Sequence, residues 1–377
     1  MQHANKEVIG IIGDGQLALM LAEALIDRGI DFLSLSSSLD SCMMRNYPQF
    51  TTLDEKSFVY LCSTFTLENE FLSCQELTLL LKEKSPELFP ELESYRHFQD
   101  KISQRTFFEG LGLPAPKWMA LREDSDLPVA LEEFSFPFIL KSSQGGYDGK
   151  GVRVIDHREM FDETLKSFGF HQGQQLLLEE KIRISCELAQ GFIQNRSGDC
   201  SFLPLVHTVQ ENNVCNLVLY PAEVAEDVKV KIQHILKTLA DSGLVGIFNF
   251  EFFVDQQQNV YVNEGAPRPH NSQHLTIDAS THSQFDLLAR YLAKDENLPA
   301  EVATRKSAMV NLLGVSTGSG YQLTLPPVQG PVSIRAKLYG KERSLPGRKM
   351  GHVTIVDERG DCNLRSIAKE ITQGYYI

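Results

Sequence analysis

The chain lacks any apolar run of the roughly 18 residues that a membrane span needs. Its opening, MQHANKEVIGIIGDGQ, lacks a signal-peptide cleavage pattern and reads instead as a first strand. Positive charge is scarce: 36 Lys and Arg stand against 49 Asp and Glu, a net −13, so nucleic acid is excluded as the main partner. The seven cysteines are odd in number and scattered, with no C-x-x-C. That pattern predicts reduced thiols in a cytoplasmic protein. Neither a low-complexity segment nor an internal repeat is present.

Two phosphate signatures are also incomplete. The turn Gly13-Asp14-Gly15-Gln16-Leu17-Ala18 has only the first two glycines of G-x-G-x-x-G. The strand after it ends in Ser34–Ser38, with no acidic residue to hold a ribose. A nicotinamide-dependent oxidoreductase therefore rests on GDGQLA alone, and a tight strand-to-helix turn accounts for those residues as well. Gly149-Lys150 is followed by Gly151, where a Walker A loop needs Ser or Thr.

What is present is a soluble globular composition, 42% hydrophobic and 23% charged, in 377 residues, long enough for two or three domains. Val8–Gly29 reads as strand, turn and amphipathic helix, and Asp31–Ser36 as the next strand: the opening of a doubly wound α/β unit. Helices are predicted over Phe71–Lys84 and from Arg96 to about Gly110. From Trp118 onward strands and short helices alternate. Leu176–Ile182, Cys186–Asn195 and Ser201–Val209 read as strands, and Glu226–Ser242 as a helix. GIFNFEFFVD and NVYVNEG read as a strand pair across QQQ. A first domain is predicted to end near Arg96, and a small β-rich one to begin near Arg305.

Four stretches carry candidate chemistry. KSSQGGYDGKG (Lys141–Gly151) lies between the apolar runs FPFIL and VRVI. Its glycines allow either an exposed hairpin turn or a flap whose N–H groups cradle phosphates. Glu251 sits among aromatics on a strand, and Glu264 ends the following strand. Antiparallel pairing could bring both to one site, where their oxygens suit Mg²⁺ held jointly with phosphates. APRPHNSQH sets Arg268, His270 and Asn271 between stiffening prolines, as an anion site requires. YGKERSLPGRKMGH packs Lys341, Arg343, Arg348 and Lys349 into one local basic run. Together they point to ATP-dependent ligation.

GQL (Gly15–Leu17), GGYDGKG (Gly145–Gly151), NE-x-APRPHNS (Asn263–Ser272), SQF (Ser283–Phe285) and PGRKMGH (Pro346–His352) occur in order over nearly the whole chain. In this combination the chain closely resembles the 5-(carboxyamino)imidazole ribonucleotide synthetases, ATP-grasp ligases of purine biosynthesis. The sister formate-using formyltransferases, and a non-catalytic ATP-binding homologue, are the neighbouring readings. The resemblance implies an α/β (α+β overall) ATP-grasp fold. Residues 1–96 would form a Rossmann-like preATP-grasp domain, 97–304 the ATP-grasp domain and 305–377 a small C-terminal domain. It implies ATP and Mg²⁺ as cofactors, 5-aminoimidazole ribonucleotide and bicarbonate as substrates, and a homodimer.

By the same resemblance, Lys101 and Lys141 contact ATP phosphates under a flap of Gly146, Tyr147, Asp148, Gly149, Lys150, Gly151 and Val152. Glu179, Glu180, Lys181 and Ile182 match the adenine-binding hinge, and Glu187 the residue on the ribose hydroxyls. Gln210 stands near the nucleotide, where a His is usual. Glu251 and Glu264 match the Mg²⁺ ligands, with Asn263 adjacent. Tyr147, Asp148 and Lys150 reach the aminoimidazole. Gln16, Leu17 and Glu68, together with Arg268, His270, Asn271, Lys341 and Arg348, match the bicarbonate and ribonucleotide site. Asp148 is the candidate to orient or deprotonate the substrate amine, with Arg268 and Lys341 as the other catalytic candidates. Departures from the pattern are Asp14, Ala18, Thr66, Gln210, Gly265, Gln273 and Leu275.

Overall fold

The computed structural model describes residues 7–82, 86–145, 151–211, 213–295, 298–327, 330–375 and 377. The predicted opening holds. Strand β1 (Ile9–Ile12) runs into the helix Gln16–Asp27, which returns to β2 (Phe32–Leu35). β3 (Thr51–Thr52), β4 (Thr64–Leu67) and β5 (Glu87–Phe89) complete a parallel sheet of order β3-β2-β1-β4-β5. The strand order reverses between β1 and β4, and in such sheets the crevice beyond the strands' carboxyl ends is where ligands bind. Gly13, Gly15 and Glu68 lie there.

Two predicted helices are shorter than their apolar spacing suggests. The first is Cys74–Leu80, begun by a reciprocal Ser73–Glu76 capping box. The second is interrupted: Arg96–Phe98 is a single 3₁₀ turn, and Asp100 then caps a new helix, Lys101–Gly110. That cap matters, because it places Lys101 in the first helical turn.

β6 (Trp118–Leu121), β7 (Phe138–Ser142), β8 (Val152–Ile155) and β9 (Leu176–Glu180) form an antiparallel sheet of order β6-β9-β7-β8. The apolar runs flanking the glycine-rich stretch therefore do pair, with Lys141 opposite Val152. Ser142 N–H donates to Gly151 O at 2.8 Å, closing the loop's base. Gly145 (φ +74°) and Gly151 (φ +79°) take left-handed backbone on either side of it, which a side chain would strain.

The largest sheet combines β10 (Ile184–Gln194), β11 (Cys200–Phe202), β12 (Val206–Glu211), β13 (Val214–Tyr220), β14 (Gly246–Asp255), β15 (Val260–Ala266) and β16 (Ser307–Leu313) with two later strands. β17 (Gly318–Ser319) forms a separate short ribbon with β19 (Arg343–Ser344), while β18 (Val332–Leu338) and β20 (Lys349–Asp357) rejoin the large sheet. The order is β15-β14-β10-β12-β13-β16-β20-β18, with β11 on β10. The single strand predicted over Ser201–Val209 is thus two, β11 and β12, parted around Pro204, which has no N–H to give a ladder. The C-terminal strands extend the sheet that carries Glu251, so APRPHNSQH and PGRKMGH meet across one continuous surface. Beneath it, Phe98, Phe108, Phe192, Phe248 and Phe250 pack against the helix Glu226–Asp241.

At Gly351 β18 and β20 leave no room for a side chain. A Cβ there would stand 2.2 Å from Lys337 O and 3.1 Å from Leu338 Cα. We expect Gly351→Ala to cost about 1–3 kcal/mol, as overpacking does. A lowered urea midpoint checks this.

Candidate active site

β14 and β15 pair so that Glu251 and Glu264 are directly opposite, and a bulge follows between Glu251 and Phe252. Like charges directly across a ladder repel, so each needs compensation. Glu264 has it: Lys101 Nζ donates to Glu264 Oε2 at 3.0 Å. Lys101, with Lys141 adding to it, holds the Glu264 carboxyl at about 2. Glu251 does not. Among the described residues no ammonium or guanidinium pairs with it. Its neighbours are Asn263 Nδ2 at 3.4 Å and His270 Nε2 at 3.7 Å. Burial, then Arg268, push His270 down to about 3, so it is neutral at pH 7. Burial, then Glu264 and Glu187, push Glu251 up to about 8. One carboxylate is ionised and its facing partner lacks a cation, which is the donor set a hard divalent ion with oxygen preference fits.

Lys141 is held on the same side. Its Nζ pairs with Glu179 Oε2 at 2.7 Å and reaches Asn263 Oδ1 at 3.3 Å. The second Glu179 oxygen takes Arg105 Nε, and Arg105 also donates to Val262 O at 3.0 Å. Burial raises Glu179, but Lys141 and Arg105 outweigh it and hold the carboxyl at about 2. The Glu179 side chain is therefore turned inward to two cations. Glu180 is also engaged locally, accepting from Lys117 N–H at 2.8 Å. Lys181 and Ile182 follow the end of β9 in irregular backbone. Glu187 on β10 and Gln210 on β12 lie near each other; burial pushes Glu187 up to about 7, with Gln210 acting weakly in the opposite sense.

The other side of the carboxylate pair is the loop after β15. Arg268 is forked onto Glu70, with Nη2 donating to Oε1 at 3.0 Å and Nε to Oε2. Asn271 and Asn311 exchange amides, at 2.9 and 2.6 Å. At the switch point Glu68 accepts from Gly15 N–H at 2.6 Å and Leu17 N–H at 3.1 Å. Lys341 Nζ crosses from the C-terminal segment to Gln16 Oε1 at 2.9 Å. Arg348 stays exposed and donates to Arg343 O, 2.9 Å away. Gly151 and Val152 form the flap's edge, while Gly146, Tyr147, Asp148, Gly149 and Lys150 lie outside the described residues.

Several departures have physical reasons. Asp14 points away from the helix start, accepting from Ser36 Oγ at 2.7 Å and Ser37 N–H at 2.9 Å. Gly265 leaves room for Phe98 and Phe250, whose rings a Cβ would meet at 2.6 and 2.8 Å. Gln273 is fully buried, with Nε2 on Pro204 O at 3.0 Å, and Leu275 is core. Sequence reasoning missed Glu70, Arg105 and Gln104, whose Oε1 accepts from Gly265 N–H at 2.9 Å. A polar pair, Gln104-Arg105, on the buried face of a helix was the available signal.

A model of the ATP-grasp domain matches residues 106–285, and one of the phosphoribosylaminoimidazole carboxylase C-terminal domain matches 307–362. The N5-carboxyaminoimidazole ribonucleotide synthase of Synechococcus elongatus is 34% identical over 356 residues, covering 92% of this chain and 89% of that one. The chain belongs to the N5-carboxyaminoimidazole ribonucleotide synthase family. Two solved members overlay closely. The Staphylococcus aureus N5-carboxyaminoimidazole synthetase complexed with ADP gives a TM-score of 0.82 at 25% identity, covering 97% of each chain. The N5-carboxyaminoimidazole ribonucleotide synthetase from Thermus thermophilus gives 0.81 at 28% identity, covering 97% of this chain and 98% of that one. The resemblance read from the motifs, the ATP-grasp fold class and assignment as an ATP-dependent ligase all hold. Among the described residues no helix is long and apolar enough to cross a membrane.

The raised Glu251 gives a stability prediction. Its folded value of about 8 lies above the unfolded carboxyl value near 4.5, so the native state holds a proton the unfolded chain releases. That stabilisation is present at low pH and lost as pH rises through about 8. Without divalent cations, Glu251→Gln should therefore gain in melting temperature over the parent from pH 5 to 8, levelling off above. A pH-independent difference would count against a buried, protonated Glu251.

Proposed function

We propose that this chain joins bicarbonate to the exocyclic amine of 5-aminoimidazole ribonucleotide, converting ATP to ADP and phosphate and yielding 5-(carboxyamino)imidazole ribonucleotide. The carrying observation is the Glu251–Glu264 pair, flanked by Lys101 and Lys141 on one side and by Arg268 and His270 on the other. Bicarbonate is a poor electrophile, and phosphorylation to carboxyphosphate gives it a leaving group. Glu251 and Glu264, with Asn263 adjacent, would hold Mg²⁺, which when bound neutralises phosphate charge.

The chain's own groups do the rest. Lys101 and Lys141 release part of their carboxylate pairing to the ATP phosphates, as point charges fixed in advance. Backbone around Glu179–Ile182 receives the adenine and Glu187 the ribose, with Gln210 near the nucleotide. Arg268 takes bicarbonate or carboxyphosphate in the fork now occupied by Glu70. Gln16, Leu17, Glu68, Asn271, Lys341 and Arg348 surround the ribonucleotide. Asp148 orients or deprotonates its amine. The flap from Gly146 to Val152 excludes water, which would hydrolyse the mixed anhydride. The family resemblance supports a cytoplasmic homodimer and a division of labour among residues 1–96, 97–304 and 305–377.

The test is ADP release with MgATP and bicarbonate, with and without aminoimidazole ribonucleotide, and with formate in place of bicarbonate. Release that requires formate or ignores the ribonucleotide would sink the proposal. In the same assay Asp148→Asn should keep nucleotide binding and lose about 10²–10⁴-fold in product formation. Glu264→Gln should raise the Mg²⁺ requirement by about tenfold or more. Unchanged Mg²⁺ dependence would remove Glu264 from the metal site.

A further inference from the structure

The SQF motif (Ser283–Phe285) has no part in the chemistry above, yet its glutamine is fully buried behind the anion loop. Gln284 Oε1 accepts from His270 N–H at 2.8 Å, and Gln284 Nε2 donates to His270 O at 2.8 Å. One side-chain amide thus satisfies both backbone groups of the residue that faces Glu251, as a neighbouring strand would. The same Nε2 lies 3.0 Å from His274 Nδ1. The orientation is forced, since a flipped amide would set its NH₂ against the His270 N–H. Nε2 therefore donates to His274 Nδ1, which must be the bare nitrogen. Burial, with His352 and His270 close by, keeps His274 neutral, so its proton is on Nε2.

His274 is itself fully buried, and its Nε2 has no hydrogen-bond partner among the described residues. Its ring centroid lies 5.2 Å from that of His352 of PGRKMGH, the planes tilted by 43°, and Tyr339 OH meets His352 Nδ1 at 2.9 Å. Three motifs met separately in the sequence, SQF, APRPHNSQH and PGRKMGH, are one buried polar column behind the loop. Gln284 is the member that touches His270 directly.

We propose that Gln284 is a positioning residue: it fixes the His270 backbone against Glu251 and sets the tautomer of His274, without touching substrate. The catalytic consequence rests on the carboxylation reading; the tautomer assignment does not. Misplacing a loop that holds a reacting group by about 1 Å costs on the order of 100-fold in rate. Because Lys101, Lys141 and Glu179 are held by other contacts, ATP binding should not share that loss.

Two variants and two readouts test this. Gln284→Leu deletes all three bonds. Gln284→Glu keeps the shape, but its carboxylate meets His270 O and His274 Nδ1 with acceptors only. Steady-state kinetics with MgATP, bicarbonate and aminoimidazole ribonucleotide should show kcat down about 10- to 100-fold in both, with KM for ATP within about twofold of the parent. Unchanged kcat, or a parallel rise in KM for ATP that marks general loosening, overturns the proposal. ¹⁵N spectra of histidine-labelled protein should show His274 bare at Nδ1 in the parent and protonated at Nδ1 in Gln284→Glu. A parent His274 protonated at Nδ1, or no change in the variant, also overturns it. If the parent shows no carboxylation at all, the functional reading falls, and the ¹⁵N result alone decides whether Gln284 sets the loop.

Discussion

The site is organised by one electrostatic problem, the placement of Glu251 and Glu264 opposite each other on paired strands. A ladder tolerates that only if the charge is offset. Lys101 offsets Glu264, and its position depends on Asp100 restarting a helix one residue earlier. Lys141 arrives from another sheet, tethered by Glu179, which is in turn balanced by Arg105. The result, among the described residues, is an alternating set of cations and anions beside one carboxyl, Glu251, that has no cation in contact and is held protonated by burial. A divalent cation would complete the set. Adding a triphosphate would then redistribute the lysines' existing pairings, so the protein's cations are already desolvated and in place when the nucleotide enters.

The architecture explains how distant segments reach this centre. Lys341 and Gln16 are 325 residues apart in sequence and hydrogen-bonded in space. Arg268 and Glu70 are 198 apart. The first contact is made by the segment between β18 and β19, strands that follow the extension of the large sheet beyond β13, and the second by the loop after β15, which faces the chain just after β4. The switch-point crevice of the first sheet, the carboxylate pair and the PGRKMGH segment are therefore parts of one surface.

Legibility in the sequence follows the range of the interactions. That Glu251 and Glu264 share a site could be read from two strands joined across QQQ, but their direct opposition could not, because it depends on the bulge between Glu251 and Phe252; the unbroken register would set Glu251 against Asn263. The closed base of the glycine-rich loop was readable from the apolar runs on either side of it. Ser201–Val209 misled because its apolar content hid the ladder break at Pro204. Glu70, Arg105 and Gln284 were not legible as site residues. Each acts through a partner far along the chain, and nothing in TLENEF, ISQRTF or SQF states what lies across the fold. For Glu179 the family resemblance pointed to an adenine hinge read by backbone groups, and its carboxylate is committed to Lys141 and Arg105. Only its backbone can face a base.

GDGQLA yields to the same reasoning. A helix N-terminus after a glycine turn is ordinarily an anion site, because its first amides lack partners. Here the amides of Gly15 and Leu17 are already taken by the two oxygens of Glu68. Asp14 is spent on Ser36 and Ser37 at the tip of β2, where a dinucleotide's ribose would be read. A pyrophosphate entering this crevice would have to expel a buried carboxylate and then sit beside it. A hydroxyl or amine would not. The switch point has the geometry of a dinucleotide fold, but the Glu68 carboxylate there favours a hydrogen-bond donor over an anion.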